Sequence, residues 1–376
     1  MKEKAINGSL SKPENKQSKK LGCTITIQPG DSFNRVFSQM VSGDLLCLAN
    51  GKYSQIMRVP SNIMVRSLFD GKAEIDGSNL DAGWGALLIV DGSNSSVRGL
   101  KIHHASQFAD TCNVKGRNNT LKSVSCSHGG HHKHKIPLKV TGEGHLIEDS
   151  WFYGEGRYVI QCFRGRDITF RRNVARWDST VSGQKSEPNA TFAIYNCSNI
   201  TVENNISLDY GTPETPMKYG GDFYSPQHRK PWPEGNQNNW WLGNIVVNHS
   251  HNSLNNKALR LDPDIESKNN FVTDFYVKGA DYGIVGNSRT STLKIGTCTM
   301  INVKEAGFNN GRHPINCNGP ADITHRYESR IKTGLPLFPW KNENLIKEDM
   351  CATGERQSLW CRSNLSLTDY ILNPVD

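Results

Sequence analysis

The stretch Thr191-Phe-Ala-Ile-Tyr-Asn-Cys-Ser-Asn-Ile-Thr-Val-Glu-Asn-Asn-Ile-Ser-Leu-Asp-Tyr210 decides how the chain is read. It holds three short runs, Phe192 to Tyr195, Ile200 to Glu203 and Ile206 to Leu208, separated by polar turn residues. Each run alternates apolar and polar, the period of a strand with one buried face, and none is long enough for a helix. Strand, turn, strand, Asn corner, strand is one coil of a solenoid.

The unit recurs on both sides. Runs of the same kind begin at Ser96, Thr120, Leu146 and Ile168 upstream, and at Trp240 and Phe271 downstream. The apolar residues just past each corner, Leu100, Val124, Trp151 and Val174, are 24, 27 and 23 residues apart. Longer gaps to Ile206 and Ile245 mark inserted loops. A fuzzy period in the twenties built from strands predicts a β-solenoid. Asn173, Asn205 and Asn244 fall on one corner, where Asn can adopt the left-handed conformation and bond to its neighbours as a ladder. A β-sandwich or propeller would show hairpin turns between runs, and these turns are of another kind.

The chain has 376 residues, an apolar fraction of 36% and a formal charge of +8. The first figure fits one elongated or two compact domains. The second suits a narrow core wrapped in loops, and the third favours a polyanionic partner. No apolar run approaches membrane-spanning length, so no membrane partner is expected. Residues 1–22 read as a disordered, Lys-rich tail without the apolar centre of a signal peptide. Of ten cysteines, Cys112 and Cys162 fall on inward positions and read as buried free thiols. Only Cys351 and Cys361 suggest a disulfide, which leaves the compartment open.

Taken in order, residues 23–30 form a strand, followed by a helix from an Asp31 N-cap with Phe33, Val36, Phe37, Met40 and Val41 on one face. Such a helix would plug the open end of a solenoid. The sequence Gly43-Asp44-Leu45-Leu46-Cys47-Leu48, then Asn50-Gly51-Lys52-Tyr53, leads into the first Asn-cornered strands. This pattern resembles the pectate-lyase-type superfamily over residues 23–310. The resemblance implies an all-β, single-stranded right-handed parallel β-helix with an N-terminal capping helix. Residues 311–376 read as an irregular C-terminal cap packed along it, with a helix from Asn342 to Met350.

In that superfamily the outer face of the strand following the longest loops is the substrate groove. The strands assigned to it are 86–90, 111–115, 137–141, 159–163, 192–196, 258–262 and 283–286, with one less defined near Asp222-Phe223-Tyr224. Alternation then points Asn113, Lys139, Gln161, Tyr195, Arg260 and Asp262 outward. Coils about 4.8 Å apart would line these up as a polar row.

The preceding loops add chemistry. Residues 127–135 carry His128, His131, His132 and His134, suited to proton transfer, substrate contact or a transition metal. Insertion 179–190 brings Lys185 and Glu187. Insertion 211–239 holds Lys218, Tyr219, Tyr224, His228, Arg229, Lys230 and Trp232 with five prolines. Interleaved aromatic and basic side chains suit sugar stacking with carboxylate or sulfate pairing. Asp262, Asp264 and Glu266 offer oxygen ligands to Ca²⁺, or form a solvated acidic turn.

For a basic groove on this fold, the resemblance implies β-elimination of a uronic-acid polysaccharide. The uronate carboxylate must be neutralised, a base must take the C5 proton, and an acid must protonate the leaving oxygen. Arg260, Gln161 and Asn113 fit the first role, Lys139, His132 or His134 the second and Tyr195 the third. Lys185, Lys218, Tyr224, His228, Arg229 and Trp232 would hold substrate. A glycoside hydrolase would need paired carboxylates, for which the outer row offers only Asp262 with Asp264 or Glu266, plus Glu187 or Asp222 from loops. A non-catalytic glycan-binding or tailspike-like protein would need only the aromatic and basic residues. A trimeric tailspike should carry an apolar outer stripe, and none is evident; a monomer is expected. No nucleic-acid motif accompanies the charge, so that partner is not expected. The resemblance favours a secreted or periplasmic protein.

Overall fold

A computed structural model describes residues 16–129, 135–178, 189–210, 220–227, 236–248, 256–263, 267–287, 293–309, 313–323, 340 and 342–373. Its strands wind into a right-handed parallel β-helix with three ladders, each strand pairing with its counterpart in the next coil.

One ladder is an 11-stranded sheet running from Ile25–Ile27 to Lys294–Ile295. Its inward row is Val65, Val97, Leu121, Ile147, Phe170, Val202, Trp241, Val272 and Ile295, residue stacked on residue in register. A second ladder, here the groove sheet, includes Ala86–Val90, Asp110–Val114, Leu138–Glu143, Tyr158–Arg166, Asn189–Tyr195, Gly220–Gln227, Lys257–Pro263 and the end of Phe275–Gly286. These match the strands expected from alternation within a few residues. The third ladder, here the capped sheet, includes Ala73–Asp76, Leu100–His103, Ser125–Ser127, Trp151–Gly154, Val174–Trp177, Ile206–Leu208 and Ile245–Val247.

The Asn ladder is present. Asn173 Nδ2 donates to Asn205 Oδ1 at 3.0 Å and Asn205 Nδ2 to Asn244 Oδ1 at 3.1 Å, all three fully buried. The left-handed backbone, however, sits one residue earlier, at Arg172, Asn204 and Gly243. That shift turns each Asn side chain inward, where its amide also reaches a carbonyl of the coil below, Ile147 O, Phe170 O or Val202 O. A second ladder lies at another corner, where the asparagines are themselves left-handed: Asn269 donates to Asn238 and Asn238 to Asn199, both at 3.1 Å.

The N-terminal helix is shorter than expected, Phe33–Phe37, and its N-cap is Ser32, whose side chain accepts from Arg35 N. Asp31 instead turns back to accept from Gln28 N at 2.8 Å. Phe33 and Val36 are buried, while Val41 is exposed. Within the stretch expected as a tail, Lys16–Leu21 form a helix, with Leu21 against the cluster of Cys47, Ala49 and Leu68.

The free-thiol reading of Cys112 and Cys162 is overturned. All ten cysteines pair, as Cys23–Cys47, Cys112–Cys126, Cys162–Cys197, Cys298–Cys317 and Cys351–Cys361. An inward cysteine on one strand meets one on another face of the core, a partner that linear spacing does not reveal.

The C-terminal helices Glu343–Met350, Leu359–Arg362 and Leu367–Leu372 lie on the outer face of the capped sheet. The apolar residues after the corners, Trp151, Val174, Ile206 and Ile245, stack in register there and face outward, against Ile346, Met350, Trp360, Leu367 and Ile371. An apolar outer stripe therefore exists, and the chain's own C-terminal segment covers it. Polar ties complete the contact: Trp151 Nε1 donates to Asp349 at 2.7 Å, Tyr370 Oη to Asp209 at 2.9 Å and Arg356 to Asp178 at 3.2 Å. Among the described residues, no helix is long and apolar enough to cross a membrane.

Candidate active site

Strand register fixes what lines the groove. One outer row runs Ile89, Asn113, Lys139, Gln161, Ala193, Tyr224, Arg260 and Val285. Phe163 pairs with Tyr195, and Pro226 with Asp262, one step outward along the strands. All six expected outward residues are on this face, but Asn113 and Gln161 are buried in its floor at 7% exposure. Asn113 Oδ1 is a buried acceptor with no hydrogen-bond partner among the described residues.

A cleft of about 190 Å³ opens on the row, lined by Ile136, Lys139, Arg157, Tyr158, Gln161, Phe163 and Tyr195. Among the described residues no acidic side chain lines it. Phe163 organises the cations and the phenol. Tyr195 stacks on it at 5.3 Å and 12°, Lys139 Nζ stands 5.4 Å from its centroid and the Arg164 guanidinium 4.7 Å. Arg157 covers Tyr158 at 5.1 Å in the same way. Cation–π contacts hold such long side chains over a polar floor without neutralising their charge.

Arg260 is not part of this cleft. It lies four coils from Lys139 in the register, about 19 Å at about 4.8 Å per coil. There it pairs with Asp262 at 2.6 Å, over the Tyr224 ring at 5.3 Å. Asp262 also accepts from Asn287 at 3.1 Å. Burial raises the Tyr224 pKa, so its hydroxyl stays protonated. Beside it, burial and then the Arg260 charge lower the pKa of Lys257.

The groove's other flank holds residues the sequence reading missed. Lys135 is 5% exposed, with Nζ 4.7 Å from the Trp84 ring, and Trp84 stacks on Phe108 at 5.1 Å. Trp84 is 68% exposed, an aromatic platform at the rim. Burial lowers the Lys135 pKa, with Lys139 adding and Asp110 opposing. Burial raises the Asp110 pKa, against the pull of Lys135 and Lys139. Asp110 also accepts from Ile136 N and Asn113 Nδ2, which ties the floor to the loop. The available signal was position: Trp84, Phe108, Lys135 and Arg157 all lie a few residues before a groove strand.

Asp222, considered above as a hydrolase carboxylate, is inside the helix. It accepts from Ser207 Oγ at 2.6 Å, Asn248 at 3.0 Å and Asn256 at 3.2 Å, and burial lifts its pKa to about 7. His128 is on the capped sheet, bonded through Nε2 to Glu355 at 3.0 Å. Burial opposes its charge, but the Glu355 bond and charge prevail and raise its pKa. His131, His132, His134, Lys185, Glu187, Lys218, Tyr219, His228, Arg229, Lys230, Trp232, Asp264 and Glu266 lie outside the described residues. The expected Ca²⁺ cluster is therefore represented by Asp262 alone, already engaged by Arg260 and Asn287.

The fold and its groove define the class: this is a right-handed parallel β-helix with a polar row on the outer face of one sheet. No protein-family model matches the chain, and no curated protein matches its sequence. Among solved structures, the chain is similar to the A-module of a mannuronan C-5 epimerase from Azotobacter vinelandii, at 13% identity and a TM-score of 0.47, covering 75% of this chain and 90% of that one. It is also similar to a mannuronic acid-specific polysaccharide family 6 lyase from human gut microbiota (14%, TM-score 0.45, 79% and 81% covered). A pectate lyase gives 14%, a TM-score of 0.41 and 76% coverage of each chain. At such identities the likeness concerns the fold.

Proposed function

We propose that this chain is a polysaccharide lyase that cleaves a uronic-acid polysaccharide by β-elimination at the Lys139–Tyr195 cleft. The observation that carries this is the lining itself: two basic side chains, an amide and two phenols on the groove, with no carboxylate among the described residues. A glycoside hydrolase needs two carboxylates across the scissile bond. A lyase needs cationic and amide donors for the uronate carboxylate, then a base and an acid.

In this reading Arg157 and Gln161 hold the carboxylate, which makes the C5 proton removable. Lys139, in its uncharged amine form, takes that proton and becomes an ammonium as the C4–O4 bond breaks and the C4=C5 double bond forms. Tyr195 gives its proton to the departing oxygen. Arg260 and Tyr224, four and three coils away, contact other sugar units, and Trp84 stacks a sugar at the opposite end. No step uses Ca²⁺. Five disulfides and no free cysteine support a place in an oxidising compartment.

The test is to incubate the protein with alginate, pectate, glucuronan, chondroitin and hyaluronan, with and without Ca²⁺. The expected outcome is rising ultraviolet absorbance from unsaturated uronate. New reducing ends without that absorbance would establish hydrolysis and reject elimination.

A further inference from the structure

A second polar cluster lies away from the groove, on the outer edge of the capped sheet. Asp76 and His103 are register partners on successive coils, and His104 follows at the corner. The three offer one ligand atom each, all within 4.8 Å of one another. His103 Nδ1 is 2.7 Å from His104 Nδ1 and 3.7 Å from Asp76 Oδ1.

We propose that Asp76, His103 and His104 bind a divalent transition-metal ion of the zinc type, which clamps two coils together. Zinc takes nitrogen and oxygen ligands at about 2.0–2.1 Å in a tetrahedron, which places ligand atoms roughly 3.3 Å apart. The observed separations bracket that value. Of the two facing ring nitrogens one must be a lone-pair acceptor, so the pair already presents a ligating atom.

The surroundings have the form of a metal site's outer shell. His103 turns its other nitrogen, Nε2, to within 3.7 Å of Glu74 Oε2, the carboxylate–histidine order that orients ligating imidazoles. Asp76 Oδ1 is fixed by Ser78 N at 3.0 Å and Ser78 Oγ at 2.6 Å. Its other oxygen meets Lys52 Nζ at 3.4 Å, an exposed ammonium that can swing away.

His104 has φ 59°, a backbone region costly for a non-glycine residue and often found where a side chain is held for function. Its ring is stacked on His128 at 4.9 Å and 14°, which fixes its plane. The two histidines and a single carboxylate favour a borderline metal over Ca²⁺, which takes oxygens.

The test is calorimetric titration of chelator-treated full chain with Zn²⁺, alongside thermal denaturation. One ion per chain is expected, with Tm raised by a few degrees at saturating zinc. His104→Asn keeps a residue that tolerates the left-handed corner. It should fold normally and lose roughly 100-fold in zinc affinity together with the Tm response, as should Asp76→Asn. Absence of saturable zinc binding would overturn the proposal. So would binding unchanged in His103→Gln/His104→Asn, which would assign the ion to other histidines.

Discussion

The groove sheet and the capped sheet are built from the same coils with the same register, yet their outer faces have opposite fates. On the groove sheet the outer row includes Asn113, Lys139, Gln161, Tyr224 and Arg260, and among the described residues no helix covers it. On the capped sheet it is Trp151, Val174, Ile206 and Ile245, and three C-terminal helices bury it. Strand alternation determines only that a side chain leaves the core. Whether it then meets water, substrate or another part of the chain depends on what outward chemistry accumulates over several coils. An apolar stripe of that length must be covered, whereas a cationic one can be left for a polyanion.

The covered face should be the more sensitive to truncation. Trp360 is fully buried between the cap and the sheet. Trp360→Ala should cost about 3–5 kcal/mol, read as a lowered denaturation midpoint. A loss below about 1 kcal/mol would mean that the cap is not coupled to the solenoid. Within the core corner, Asn205→Ala removes two ladder bonds and strands the Asn173 amide, and should cost about 1–3 kcal/mol in the same measurement.

On the open face, substitutions should spare stability and change substrate handling. Trp84→Ala should lower polysaccharide affinity by about 0.5–1.5 kcal/mol, raising KM with little change in kcat. Retained affinity would remove Trp84 from the binding path.

Asp222 supplies a pH test of the interior. Its folded pKa is raised to about 7 from the ordinary carboxylate value. Between those two values the folded chain holds a proton that the unfolded chain has released. Stability from this group is therefore full at low pH, falls as pH rises from about 4 to about 7 and then levels off. Asp222→Asn should flatten the decline of Tm over that interval relative to wild type. An identical slope in the two proteins would show that Asp222 is ionised throughout.

Most of the solenoid could be read before any coordinates, because alternation and turn residues are local signals. The outward positions of Lys139, Gln161 and Tyr195 follow from strand period, and the choice of the groove strands from the resemblance. What stayed hidden depends on contacts between coils. Cys112 and Cys162 carry no linear sign of Cys126 and Cys197 as partners. Arg260 has the right chemistry for the Lys139 site, but strand period does not say which outward residues, here four coil steps apart, share one cleft. Asp76 and His103, 27 residues apart in sequence, become neighbours only when one coil closes on the next. Lys135 and Trp84 were passed over because loop residues have no period to mark their direction.

The central claim concerns the Lys139–Tyr195 cleft on the open face. It is tested most directly by the initial rate of unsaturated-uronate formation on the best polysaccharide, measured for wild type, Lys139→Ala and Tyr195→Phe, with Tm recorded for each. The account predicts that both variants keep the wild-type Tm and lose at least about 100-fold in kcat, the scale of general acid–base catalysis. Wild-type rates in a folded Lys139→Ala variant would contradict it.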